Sequence, residues 1–234
     1  MSKTPDYSKL EQLLNYQFRN NGLLKEALTH RSANSKNNER LEFLGDSILN
    51  FVIAANLFER YPDSAEGDLS RLRASLVNKE GLHDVSKLLK LGEYLILGSG
   101  ELKSGGYRRN SILADTVEAI FGAVYLDGGF DKCRELILKL YDDLIENIPD
   151  ADDLKDPKTR LQELLQSRQF SIPNYTVIEV TGQAHNQQFK VQCEIEELDL
   201  MTEGVASNRR KAEQKSAEAV ISQVMAKFNK KSKK

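Results

Sequence analysis

The sequence predicts an all-α domain followed by a small α+β domain of order α-β-β-β-α. Three observations predict it. Apolar residues recur at helical spacing through the first 149 residues. The stretch Pro149-Asp-Ala-Asp-Asp-Leu-Lys-Asp-Pro157 is polar, acidic and bounded by prolines, which marks a linker. Beyond it come one helical pattern, three strand patterns and a second helical pattern. Domains are therefore expected over 1–149 and 157–228, with a linker over 150–156 and a basic tail over 229–234.

In the first part, residues 7–14 and 21–29 are short amphipathic pieces. Residues 38–61 form a long helix, nearly all apolar after Gly45, so it should be the buried central helix. Pro62 stops it. Residues 67–77 place Leu69, Leu72, Leu76 and Val77 at helical spacing, and 79–89 is a further helix. The glycine-rich stretch 92–106 reads as irregular. Residues 111–126 form a second apolar helix, ended by Gly128 and Gly129. Residues 130–147 are amphipathic. In the second part, 158–167 is a helix and 175–181 a strand. Phe189, Val191, Cys193 and Ile195 alternate with polar residues as a half-buried strand. A third strand spans 200–206. The closing helix, 209–228, aligns its alanines with Val220, Ile221 and Val224. No internal repeat is seen, and the lysine-rich end is expected to be disordered.

Of 234 residues, 40% are hydrophobic and 29% charged, the composition of a packed soluble protein. The longest apolar stretch, residues 47–58, is too short to span a bilayer, so no membrane partner is expected. No leader pattern opens the chain. Cys133 and Cys193 lack metal-ligand spacing and read as free thiols of a cytoplasmic protein. Net charge is −2, but residues 207–234 hold nine Lys/Arg against two Asp/Glu. That basic segment suits either a polyanionic partner or a solvated helix with a frayed tail.

Acidic residues interrupt the two apolar helices. Glu39, Glu42 and Asp46 are spaced three and four apart and share a face; so do Asp115 and Glu118. Burying such groups is costly unless a cation compensates. Without a His/Cys cluster the fitting ion is hard and oxygen-loving, Mg²⁺ with Mn²⁺ as a substitute. Clustered acids around such an ion suit hydrolysis or transfer at phosphorus. The competing reading pairs the acids with Arg40, Arg71, Arg73, Arg108 and Arg109. A nucleotide cofactor is not expected, because 98–106 lacks the phosphate-loop spacing.

Four blocks carry a resemblance. They are Ala27-Leu-Thr-His-Arg-Ser32, Asn38-Glu-Arg-Leu-Glu-Phe-Leu-Gly-Asp-Ser47, Gly67-Asp-Leu-Ser-Arg-Leu-Arg-Ala-Ser-Leu-Val-Asn78 and Leu113-Ala-Asp-Thr-Val-Glu-Ala-Ile-Phe-Gly-Ala-Val-Tyr-Leu-Asp-Gly-Gly129. In this order they resemble the ribonuclease III family, in its short bacterial form. The resemblance implies an all-α nuclease domain with Glu42, Asp46, Asp115 and Glu118 as metal ligands. Asp46 and Glu118 would be the acids most tied to catalysis, and Glu39 and Glu66 auxiliary acids on the rim. It further implies Mg²⁺-dependent cleavage of double-stranded RNA by metal-activated water, leaving 5′-phosphate and 3′-hydroxyl ends. Substrates would be ribosomal RNA precursors and other structured transcripts. His30, inside one block, is read as a structural core histidine.

Cutting both strands needs two acid sets, and a C₂ homodimer is the simplest match to a duplex. Phe43 fits either an interface anchor or ordinary core packing. The segments 158–166, 182–189 and 207–217 resemble a double-stranded-RNA-binding domain, which reads A-form shape. Gln162, Glu163 and Gln166 would reach 2′-hydroxyls, and His185 would enter the next minor groove. Arg209, Arg210 and Lys211 would grip phosphates at a helix start. Many eukaryotic domains of this kind have Lys where Glu213 stands, so a weaker phosphate grip is expected. Two rival readings are an RNA-binding protein that does not cut and a metal phosphohydrolase of small molecules. The intact acids oppose the first, the second domain the other.

Overall fold

The computed structural model describes residues 7–183 and 186–231, with side chains through Phe228. The chain divides into two compact units, Met1–Ala151 and Asp152–Lys234.

The first unit is helical: α1 (Ser8–Leu14), α2 (Asn21–Ala27), α3 (Glu39–Arg60), α4 (Glu66–Leu76), α5 (Lys79–Leu88), α6 (Ser99–Lys103), α7 (Asn110–Gly128) and α8 (Phe130–Glu146). Local chemistry sets several boundaries. The Asn20 side chain caps α2 by accepting from the Gly22 N–H, and Asn78 caps α5 by accepting from the N–H groups of Glu80 and Gly81. Helix α7 passes at Gly128 into Gly129, whose φ of +85° suits glycine. The Asp127 carboxylate ties this end to the N-terminal segment, accepting from the Tyr16 hydroxyl and the N–H groups of Arg19 and Asn20. The expected irregular stretch contains short helical turns at Leu91–Glu93 and Gly106–Arg108 besides α6. Gly92 and Gly100 lie inside these turns, and Gly105, at a φ of +78°, follows α6.

The most buried helix is α7. Ile112, Val117, Ile120, Phe121 and Val124 are buried around its circumference, with small residues Ala114, Ala119, Gly122 and Ala123 admitting close neighbours. Helices α2, α3, α5 and α8 surround it. The expectation that α3 would be the buried central helix is corrected. One face, with Leu41, Gly45, Leu49, Val52, Ile53 and Leu57, packs inward. The other exposes Phe43 (78%), Phe51 (61%) and Phe58 (70%). An all-apolar run reports apolar surroundings but not whether the same chain supplies them. By length and composition alone, the whole of α3 is long and apolar enough to cross a membrane. One such helix is weak evidence, since core helices pass the same test.

The second unit is α9 (Pro157–Gln166), β1 (Asn174–Thr181), β2 (Gln188–Ile195), β3 (Leu200–Ala206) and α10 (Arg209–Lys231). The strands form one antiparallel sheet in the order β1-β2-β3, with a register shift between Val177 and Glu179. Asp156 caps α9 by accepting from the Thr159 N–H, and Pro157 opens the helix without losing a needed donor. The alternation in β2 buries Val191, Cys193 and Ile195. Cys193 and Ile195 join Leu161 and Leu165 of α9 and Val220, Val224 and Phe228 of α10 in one core. At Gly204 the sheet touches α10 so closely that a Cβ would lie 2.3 Å from the Ala212 carbonyl oxygen. Helix α10 runs past the expected end at 228 to Lys231. No breaker follows Phe228, and lysine suits a helix C-terminus.

Candidate active site and RNA-binding face

The acids of α3 and α7 meet because the two backbones touch. A Cβ on Gly45 would lie 1.8 Å from the Glu118 carbonyl oxygen, and one on Gly122 would lie 2.3 Å from that of Leu41. This glycine contact brings the first turn of α3 onto the middle of α7. Glu42, Asp115 and Glu118 then each place a carboxylate oxygen within 4.8 Å of the others. All three are half-buried.

Crowding and burial raise the proton affinity of the trio. Burial pushes the Glu118 carboxyl up to about 8, helped by the charges of Asp46, Glu42 and Asp115 and by a hydrogen bond with Asp46. Glu42 is raised by burial first, then by Asp115, Glu39 and Asp46, with Arg31 opposing. Burial also raises Asp115, against Lys79, His30 and Arg31. Three carboxylates this close, with so little compensating charge at Glu118, fit a divalent cation with oxygen ligands. The group is a cluster that could hold an ion.

The other predicted acids stand around this trio. Asp46 is exposed and touches Glu118, while its Oδ1 accepts from the Asn50 side-chain amide at 2.9 Å. Glu39 is exposed and 3.5 Å from Arg31. Glu66, in the first turn of α4, accepts from the Ser70 hydroxyl at 2.7 Å and is not a member of the trio. Three of the arginines offered as rival partners are engaged elsewhere: Arg71 with Asp68, Arg109 with Glu101, and Arg108 over the Tyr107 ring.

A cleft of about 530 Å³ adjoins the trio, with Glu42 and Asp115 on its wall. Of its cationic lining, Arg31 was not singled out from the sequence, and Arg109 was named only as a rival partner of the acids. His30 also lines it, so the expected apolar core setting is corrected. Its Nδ1 lies 2.8 Å from the Ser32 hydroxyl, which accepts from the Gly98 N–H. The histidine therefore braces the loop and lends positive potential to Asp115. The signal was its neighbour Arg31 in the same sequence block.

In the second unit, Gln162, Glu163 and Gln166 are exposed on α9 and lie within one turn-and-a-bit of helix. Glu163 accepts from Lys155 at 2.6 Å. Arg209, Arg210 and Lys211 are exposed in the first turn of α10, and the Asn208 side chain accepts from the Lys211 N–H. Lys215, one turn on and exposed, was missed. Glu213 binds Lys158 at 2.7 Å and Arg209 at 2.8 Å. Burial alone would raise its carboxyl, but hydrogen bonds from these two cations hold it below the usual range. His185 lies outside the described residues.

A family model described as ribonuclease-III-like matches residues 20–144, and the double-stranded RNA binding motif matches 157–224. Ribonuclease 3 of Alkalilimnicola ehrlichii is 57% identical over 91% of this chain and 93% of its own. That of Vibrio parahaemolyticus is 55% identical over 92% and 96%.

The chain belongs to the ribonuclease III family.

Among solved structures, the nuclease domain of ribonuclease III from Campylobacter jejuni superposes with a TM-score of 0.60. It is 42% identical, over 62% of this chain and all of that one. A second structure of that domain, described for flexibility in a region involved in dimer formation, has a TM-score of 0.58, at 44% identity over 59% and 97%. The helical unit is thus a ribonuclease III nuclease domain and the second unit a double-stranded-RNA-binding domain. As a ribonuclease III, the chain is an endoribonuclease with double-stranded RNA as its substrate.

Proposed function

We propose that residues 1–149 act as a homodimeric, Mg²⁺-dependent nuclease joined by residues 150–156 to an RNA-gripping domain over 157–228. The observation that carries this reading is the convergence of Glu42, Asp115 and Glu118 to within 4.8 Å. These three, with Asp46 beside Glu118, would hold the ion, and Mn²⁺ would serve in its place. When bound, Mg²⁺ polarises a phosphoryl oxygen and lowers the pKa of water. Asp46 and Glu118 are the acids this reading ties most closely to the reaction. Glu39 on the cleft wall and Glu66 at the start of α4 serve as rim acids that orient substrate.

Direct attack of water on phosphorus, with the 3′ oxygen leaving, gives 5′-phosphate and 3′-hydroxyl ends. A 2′-hydroxyl route would call for an acid–base pair, and the cleft is lined by one histidine, His30. Arg31 and Arg109 give the duplex backbone a cationic wall beside the acids.

The exposed Phe43, Phe51 and Phe58 supply the surface for a second copy. Two copies related by a two-fold axis give one acid set per strand. Gln162, Glu163 and Gln166 reach 2′-hydroxyls, His185 the next minor groove, and Arg209, Arg210 and Lys211 the phosphates. Ribosomal RNA precursors and other structured transcripts in the cytoplasm are the substrates this implies. The unpaired Cys133 and Cys193 suit that reducing compartment.

The test is incubation of a perfect RNA duplex with the full chain, with and without Mg²⁺, followed by end-group analysis. Cleavage should require Mg²⁺ or Mn²⁺ and leave 5′-phosphates. Glu118→Gln should stop cleavage yet still bind duplex; persistent cutting would remove Glu118 from the metal site.

A further inference from the structure

A buried hydroxyl that feels the charge of Glu118 has nothing to bond. Tyr141 of α8 is 0% exposed. Its phenolic oxygen has no hydrogen-bond partner among the described residues. Native interiors seldom leave such a donor unmatched, and one near a charged site calls for a role there.

The α7–α8 hairpin indicates which acceptor. The Cys133 thiol donates to the Phe121 carbonyl oxygen at 3.2 Å, which fixes the antiparallel register of the two helices. From that contact, Tyr141 lies two turns onward along α8 and Glu118 nearly one turn back along α7. Long helical side chains lean toward their own N-termini. In an antiparallel pair these two therefore lean toward each other. Glu118 is also the one charged group that acts on the Tyr141 hydroxyl, reinforcing burial in disfavouring phenolate.

Glu118 has no cation among its leading influences, and the hydrogen bond named there is with another acid, Asp46. Arg31 acts on Glu42, and Lys79, His30 and Arg31 act on Asp115. The leading influences on Glu118 are burial and three other acids. An ionised carboxylate only accepts hydrogen bonds, and a phenol can donate one.

Resting on the metal-site reading above, we propose that Tyr141 is a positioning residue for the divalent site. Its O–H donates to the carboxylate of Glu118 from the buried side and fixes which oxygen faces the cation. Partners of this kind outside the ligand set tune affinity by orienting the ligand.

The experiment compares the full-length chain with Tyr141→Phe, Glu118→Gln and Tyr141→Leu, using Mn²⁺ alone as the probe and no RNA. Manganese affinity is read by electron paramagnetic resonance and calorimetry, and metal-free stability by thermal unfolding. Tyr141→Phe should unfold at the same or a higher temperature without metal, because it deletes only an unmatched oxygen. It should nevertheless bind Mn²⁺ about tenfold or more weakly. Tyr141→Leu, which also loses the ring, should be less stable and bind Mn²⁺ no better than the phenylalanine variant.

Parent-like Mn²⁺ affinity in Tyr141→Phe, with binding lost in Glu118→Gln, overturns the tyrosine's role and leaves the metal site standing. Parent-like affinity in Glu118→Gln overturns the metal site itself. A clear loss of metal-free stability in Tyr141→Phe would mean that the hydroxyl already has a partner, and would also overturn the proposal.

Discussion

At the scale of single residues, Glu118 makes the metal-free protein sensitive to pH. Its carboxyl is raised to about 8 from an ordinary value of 4.5. Between those values the folded chain holds a proton that the unfolded chain releases. Stability from this group is therefore fully present below about 4.5 and is lost as pH rises through about 8. Melting temperature without metal should fall over that window, Mg²⁺ should restore it, and Glu118→Gln should flatten the fall; an equal slope in the variant would contradict the assignment. The arginines of α10 differ in a way their sequence positions hide. Arg209 is tied to Glu213, whereas Arg210 and Lys211 are exposed with no ion pair recorded among the described residues. Arg210→Ala should lower the salt slope of duplex binding by about one, and Arg209→Ala by less, both measured by titration at several salt concentrations. Equal slopes would mean that Arg209 leaves Glu213 when RNA binds.

At the scale of elements, the site depends on where α3 crosses α7. The sequence made the acids legible as two same-face sets, because spacing of three and four has one meaning on a helix. It did not show that Gly45 and Gly122 are the contact. A glycine inside an apolar helical run reads only as a weak spot until its neighbour is known. Gly45→Ala inserts a methyl group at the Glu118 backbone, so α3 must move away from α7 and carry Glu42 from Asp115 and Glu118. Overpacking of this kind costs about 1–3 kcal/mol, and stabilisation by Mg²⁺ should disappear with it. A denaturant titration with and without Mg²⁺ checks both, and a variant still stabilised by the ion would show that the trio tolerates separation. The boundaries of α9 and the strands were nearly legible because Pro157 and the alternation in β2 are local signals. The reach of α10 past Phe228 was not, since no local stop signal follows that residue.

At the scale of the whole molecule, the exposed phenylalanines of α3 are the main departure from expectation. Phe51 also meets Phe130 of α8, ring centroids 5.8 Å apart, so the open apolar surface continues onto a second helix. Left in water, such a surface favours association. Phe51→Asp should convert a dimer into a monomer in sedimentation equilibrium while leaving the helical signal unchanged. A monomeric parent would remove the dimer reading, and with it the cutting of both strands in one encounter.

The sequence by itself determined the class of each domain and set the acids out as same-face groups on two helices, because these depend on periodicity and charge along the chain. Only the tertiary structure decided which acids meet, that α7 rather than α3 is the more buried helix, and that Arg31, Arg109 and His30 share the cleft. The physical reason is that proximity between helices is set by crossing points. Those crossings rest here on Gly45 and Gly122, whose missing side chains leave no periodic signal of their partners.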